Sequence, residues 1–71
     1  MTWNYRVVQD GNSYAIYEVY YDSEGNIEGR TESPTFAEGS TLNELQHDFD
    51  FMSQALRAPV ITSKDFKNDT K

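Results

Sequence analysis

Near the middle of the chain Glu44, His47, Asp48 and Asp50 set one imidazole among three carboxylates, the kind of group that holds a metal or passes a proton. On a helix only Glu44 and Asp50 would neighbour His47 on its outer face. The chain holds no second His, and nothing implies an apolar pocket around the group, so a solvated acidic helix face is expected and no metal site is assigned. Asp22-Ser23-Glu24-Gly25-Asn26 carries the alternating oxygens and turn-making glycine of part of a calcium loop. An EF-hand loop, however, is longer, lies between helices and ends on a bidentate Glu, whereas this segment lies between two strand-like runs. A hairpin turn is the expectation. Glu18 interrupts a tyrosine-rich run and is expected to be held by Arg6 or Arg30 across a sheet, a structural pairing with no nucleophile or metal partner beside it. No Ser or Thr sits in a nucleophile-elbow setting and no glycine-rich phosphate loop occurs, so neither catalysis nor a cofactor is expected.

The elements that would carry these residues follow from hydrophobic periodicity. Trp3 to Gln9 alternates large apolar and polar residues at period two, Asp10-Gly11-Asn12 supplies turn chemistry, and Ser13 to Tyr21 forms a second run, which together predict a β-hairpin. Asp22 to Asn26 turns again, with Gly25 placed for a left-handed conformation, into a more polar run from Ile27 to Glu32 that reads as an edge strand. Ser33-Pro34 ends it, and a loop runs to Gly39. Thr41 as N-cap with Glu44 as the returning half of a capping box starts a helix at Leu42, and Pro59 closes it. Leu42, Leu45, Phe49, Met52 and Leu56 fall within about 80° of one another and form the face expected to lie on the sheet. Phe51 lies opposite. The fold class is therefore α+β, a three-stranded antiparallel meander followed by one amphipathic helix packed on one sheet face. Residues 60–62 are open to a short fourth strand. A single domain over residues 1–62 and a disordered polar tail over 63–71 are expected.

At 71 residues and with no cysteine, the chain has room for one core and no covalent staple, so its ten aromatic residues or self-association must supplement that core. The net charge is −6, and residues 1–61 carry ten acids against Arg6, Arg30 and Arg57. That balance argues against direct nucleic-acid or membrane binding, both of which need a basic surface. No apolar run is long enough to span a membrane and no secretory signal opens the chain, which predicts a cytoplasmic protein.

The second run has two apolar faces, Tyr14, Ile16, Glu18 and Tyr20 on one side and Ala15, Tyr17, Val19 and Tyr21 on the other, and one helix can cover only one of them. Two outcomes stay open. In one, the tyrosines reach water with their hydroxyls while Val60 and Ile61 fold back over Phe51. In the other, favoured here, Tyr17, Tyr21 and Phe51 form a contact surface for a protein partner or a second copy of the chain. A different reading makes the acidic side chains Glu44, Asp48 and Asp50 a decoy for a basic nucleic-acid-binding protein. No small-molecule ligand is inferred.

Tyr5-Arg6-Val7-Val8, Tyr14 to Asp22, Gly25 and Thr31-Glu32-Ser33-Pro34 resemble a group of small bacterial and phage proteins of unassigned function, over residues 3 to about 61. That resemblance implies no particular activity. More distantly, the order of three strands and a helix, with Gly39-Ser40-Thr41-Leu42-Asn43-Glu44-Leu45 opening the helix, is similar to HicB-like antitoxin domains with their Gly-x-Thr-x-x-Glu element. This likeness implies an inhibitor that blocks a basic partner.

Overall fold

A computed structural model describes residues 2–66. Strands β1 (Thr2–Asp10), β2 (Ser13–Tyr21) and β3 (Ile27–Arg30) form one antiparallel sheet in the order β1-β2-β3, followed by helix α1 (Leu42–Ser53). The architecture is the expected α+β meander with one helix. β1 and β2 pair along their whole length, from Thr2 opposite Tyr21 to Asp10 opposite Ser13. Both hairpin turns depend on a glycine at positive φ, Gly11 at 62° and Gly25 at 85°. The second turn is fastened further by Asp22, whose Oδ1 accepts from the backbone N–H groups of Glu24 and Asn26, each at 2.9 Å.

β3 is shorter than expected and carries a bulge. Its register passes from Tyr20 opposite Gly29 to Tyr21 opposite Ile27, leaving Glu28 as the extra residue. The bulge puts Ile27 and Arg30 on the same face despite their odd spacing. Beyond Arg30 the backbone continues along β2 through bonds from the N–H of Thr31 to the Glu18 carbonyl and from that of Thr35 to the Ile16 carbonyl.

The two faces of the sheet are covered by different parts of the chain, and that division is the main finding about the fold. On the face carrying Val8, Ala15, Tyr17, Val19 and Tyr21, the cover is the C-terminal segment. Ile61 lies beside Val8 in a parallel bridge, donating to the Val7 carbonyl and accepting from the Gln9 N–H at 2.9 and 2.8 Å. A 3-10 turn, Ser63–Asp65, follows, capped reciprocally by Thr62 and Asp65, and it delivers Phe66 into a cluster with Val8, Tyr17, Val19 and Ile61. Arg30 lies over the rings of Tyr17 and Phe66, its guanidinium carbon 4.5 and 5.7 Å from their centroids.

Two expectations fail and one open alternative is decided. The segment 60–62 contributes one bridge residue and not a strand. The domain does not end at residue 62, because Phe66 is 3% exposed in the core; of the expected disordered tail, residues 63–66 are ordered and 67–71 lie outside the described residues. Glu18 has neither arginine beside it: Arg6 and Arg30 point to the opposite face, and the Glu18 carboxylate accepts from the Tyr20 hydroxyl at 2.9 Å. Arg6 instead donates to the Tyr21 hydroxyl and the Pro59 carbonyl, tying the chain after the helix to the sheet.

The other face, with Trp3, Tyr5 and Val7 on β1, receives the helix. Phe51 stands edge-on to Trp3 and Tyr5, with centroids 6.3 and 5.3 Å apart, and Trp3 stands edge-on to Tyr5 at 5.2 Å. Met52 and Ala55 are buried with Val7 on this side. After Ser53 the helix tightens into a 3-10 turn, Gln54–Arg57, which packs on β1.

Candidate interaction surface

Phe51, placed by periodicity on the outer side of α1, is the residue that docks the helix. The face toward the sheet is made by Asp48, Phe51, Met52 and Ala55, so the helix is turned about 90° from the orientation its apolar stripe predicts. Three local features fix that rotation. The Thr41 hydroxyl accepts from the Glu44 N–H, while the Glu44 carboxylate accepts from the N–H of Ser40, one residue before the N-cap. Asp48 reaches back to accept from the Glu38 N–H at 3.0 Å. Gly39 lies so close to the first helical turn that a Cβ there would come within 2.6 Å of the Leu45 nitrogen and 2.7 Å of the Glu44 Cβ.

The rotation leaves the predicted sheet-facing stripe in solvent. Leu42 is 79% exposed, Leu45 38%, Phe49 59% and Leu56 71%; of the five stripe residues only Met52 is buried. Leu42, Leu45, Gln46 and Phe49 line a shallow apolar depression. Between and beside these side chains lie only Gln46 and Ser53, so an arc of about 100° of the helix surface carries no charge.

The residues expected at a contact surface are placed differently from one another. Tyr17 is 6% exposed, beneath Arg30 and beside Phe66, and is removed from any surface. Tyr21 is half-buried at the edge of the same core, its hydroxyl accepting from Arg6 and donating to Asn4 at 2.7 Å. Phe51 keeps about half its surface, but its ring serves as the helix anchor. These three are not brought together, since Tyr17 and Tyr21 lie on one sheet face and Phe51 on the other. The exposure of the stripe is not legible in its periodicity, which is that of a core face. The signal against that reading was the surplus of apolar residues elsewhere: a narrow sheet cannot accept Phe51, Ile61, Phe66 and five stripe residues together.

The acidic side chains divide likewise. Glu44 and Asp48 turn an oxygen inward, to the Ser40 and Glu38 amides, and Asp50 is exposed, with no such bond among the described residues. With Tyr5, His47, Gly39 and Phe51, Glu44 and Asp48 line an open depression beside the helix start. Burial, and then the nearby Asp48 and Glu18 carboxylates, raise the Tyr5 phenol above its ordinary pKa. Among the described residues, no three His, Asp or Glu side chains group to hold a metal, and no helix is long and apolar enough to cross a membrane. No family model, curated protein or solved structure matches the chain.

Proposed function

We propose that the protein is a non-enzymatic protein-binding module whose contact surface is the outward stripe of α1. The observation that carries this reading is the alignment of Leu42, Leu45 and Phe49 on one uncharged arc of α1, with Leu56 following in the 3-10 turn, each more than a third exposed. Their exposed area is roughly 400 Å², as large as the most apolar patch of a typical monomer, and burying it is worth on the order of 10 kcal/mol before the costs of association. The first turns of the helix need such a cover. Every residue from Thr41 to His47 is exposed, and α1 is 12 residues long, a length at which an isolated helix is marginal in water. Tyr17 drops out of the contact set because it is buried, and Phe51 belongs to it only at the margin. The acidic-decoy reading is less well supported, since Glu44 and Asp48 are engaged with the chain's own amides.

A photoreactive benzoylphenylalanine in place of Gln46 tests this reading in the native host. Cross-linked products, whether to another protein or to a second copy, are expected from position 46 and not from position 26, at the far hairpin turn. Absence of a product from position 46, or equal products from both positions, overturns it.

A further inference from the structure

We infer that the occupant of this surface is a second copy of the chain, with two α1 helices packed antiparallel about a two-fold axis at Phe49. The inference rests on the stripe being an interaction surface and adds the identity of what covers it. Charge argues for a copy. The chain carries −6 overall, and most of its surface would repel another molecule of itself. Along the stripe that objection disappears. Leu42, Leu45, Gln46, Phe49, Ser53 and Leu56 bear no charge, the nearest charged residues, Asp50 and Arg57, lie beyond Gln46 at the edge of the arc and are of opposite sign, and Glu44 and Asp48 each turn an oxygen to a backbone amide. A basic partner would find no acidic rim on this seam to meet, whereas a neutral, apolar one matches itself.

Spacing argues for the antiparallel arrangement. Leu42 and Leu56 each stand seven residues from Phe49, about 10 Å away through α1 on one side and about 12 Å away through the 3-10 turn on the other, so a two-fold axis at Phe49 brings Leu42 of one chain near Leu56 of the other. That arrangement also sets the positive end of each helix dipole beside the negative end of its partner. The exposed stripe supplies about half of the roughly 800 Å² per partner that a standard interface buries, and Gln46 and Ser53 supply a polar rim. An interface of this kind also gives a small, cysteine-free domain the additional burial its own core lacks.

Sedimentation equilibrium of the purified full chain tests the inference directly. A mass of twice 8.2 kDa is expected at micromolar concentration. Phe49→Asp, at a residue 59% exposed, should weaken the dimer by about 100-fold or more while the chain keeps its sheet and the Phe51 anchor, with any loss of circular dichroism confined to the helical signal of the uncovered first turns of α1. Leu42→Glu, at the most exposed stripe position, is the second variant and should do the same. Oxidation should give a covalent dimer from Phe49→Cys alone and from a mixture of Leu42→Cys with Leu56→Cys chains, and not from Leu42→Cys alone. A wild-type chain that stays monomeric up to about 100 µM overturns the inference, and so does a dimer indifferent to both charge variants or linked through Leu42→Cys alone. A monomer that still cross-links from position 46 to a different protein would refute self-pairing and leave the binding-module reading standing.

Discussion

Replacing Phe66 by Ala should remove a large part of this protein's stability, although the residue lies five positions before Lys71 in a segment of polar composition. Phe66 is 3% exposed, packed with Val8, Tyr17, Val19 and Ile61 and overlain by Arg30. Deleting a buried Phe side chain costs about 3–5 kcal/mol. The lower end applies here, because a segment held by one bridge and a short turn relaxes into the cavity more readily than a strand inside the sheet. At the usual 0.05–0.15 kcal/mol per residue, the whole domain is stabilised by about 4–10 kcal/mol, so a loss of about 3 kcal/mol is a third or more of it. For a domain of this size that corresponds to a fall in Tm of roughly 12–24 °C, or about 3 M in urea midpoint at an m-value near 1 kcal/mol/M. Thermal and urea unfolding followed by circular dichroism, all at one protein concentration, would measure it. Lys64→Ala is the control: it alters an exposed residue of the same 3-10 turn and should stay within about 0.5 kcal/mol. A Phe66→Ala chain destabilised by less than about 1 kcal/mol would refute the assignment of the C-terminal segment to the core.

Gly39→Ala should destabilise the protein by about 1–3 kcal/mol, because the added methyl would meet the Leu45 backbone nitrogen and the Glu44 Cβ below contact distance. Gly29→Ala, with nothing within 4 Å and no positive φ, should be near neutral, and equal effects in urea unfolding would argue against the close seat of the loop on the helix. The Asp22 carboxyl should titrate below its ordinary value of 3.8 in a carbon-detected NMR titration, because the backbone N–H groups of Asn26, Glu24 and Gly25 favour its ionised form. Since the folded value is the lower one, the contribution of Asp22 to stability is fully present above the unfolded value of 3.8 and is lost as pH falls through the folded value. Asp22→Asn should abolish that acid dependence, and an Asp22 titrating at or above 3.8 would contradict the turn geometry.

Much of the fold was legible in the sequence, because it rests on interactions within a few residues. The alternation of Trp3 to Gln9 and of Ser13 to Tyr21 produced the hairpin in full register, Gly25 took the left-handed turn position, and Thr41 capped the helix that starts at Leu42. Even here the local rule bent where tertiary contact intervened, since Glu44 caps Ser40 and not the N-cap residue itself, in the loop that Gly39 and Asp48 hold against the helix.

What the tertiary structure alone decided was which apolar surface covers which. Composition placed apolar residues on both faces of β2, on the stripe of α1, at Phe51 and after Pro59, more than one three-stranded sheet can bury. Period and propensity say that each of these is apolar and cannot rank them, because the ranking is set by contacts between residues far apart in the chain. The ring of Phe51 found Trp3 and Tyr5, Ile61 and Phe66 closed the face that Tyr17 and Val19 present, and the most regular apolar stripe in the chain was left outside. The sequence determined that α1 would be amphipathic. The competition for two small sheet faces decided that most of its apolar side would face outward.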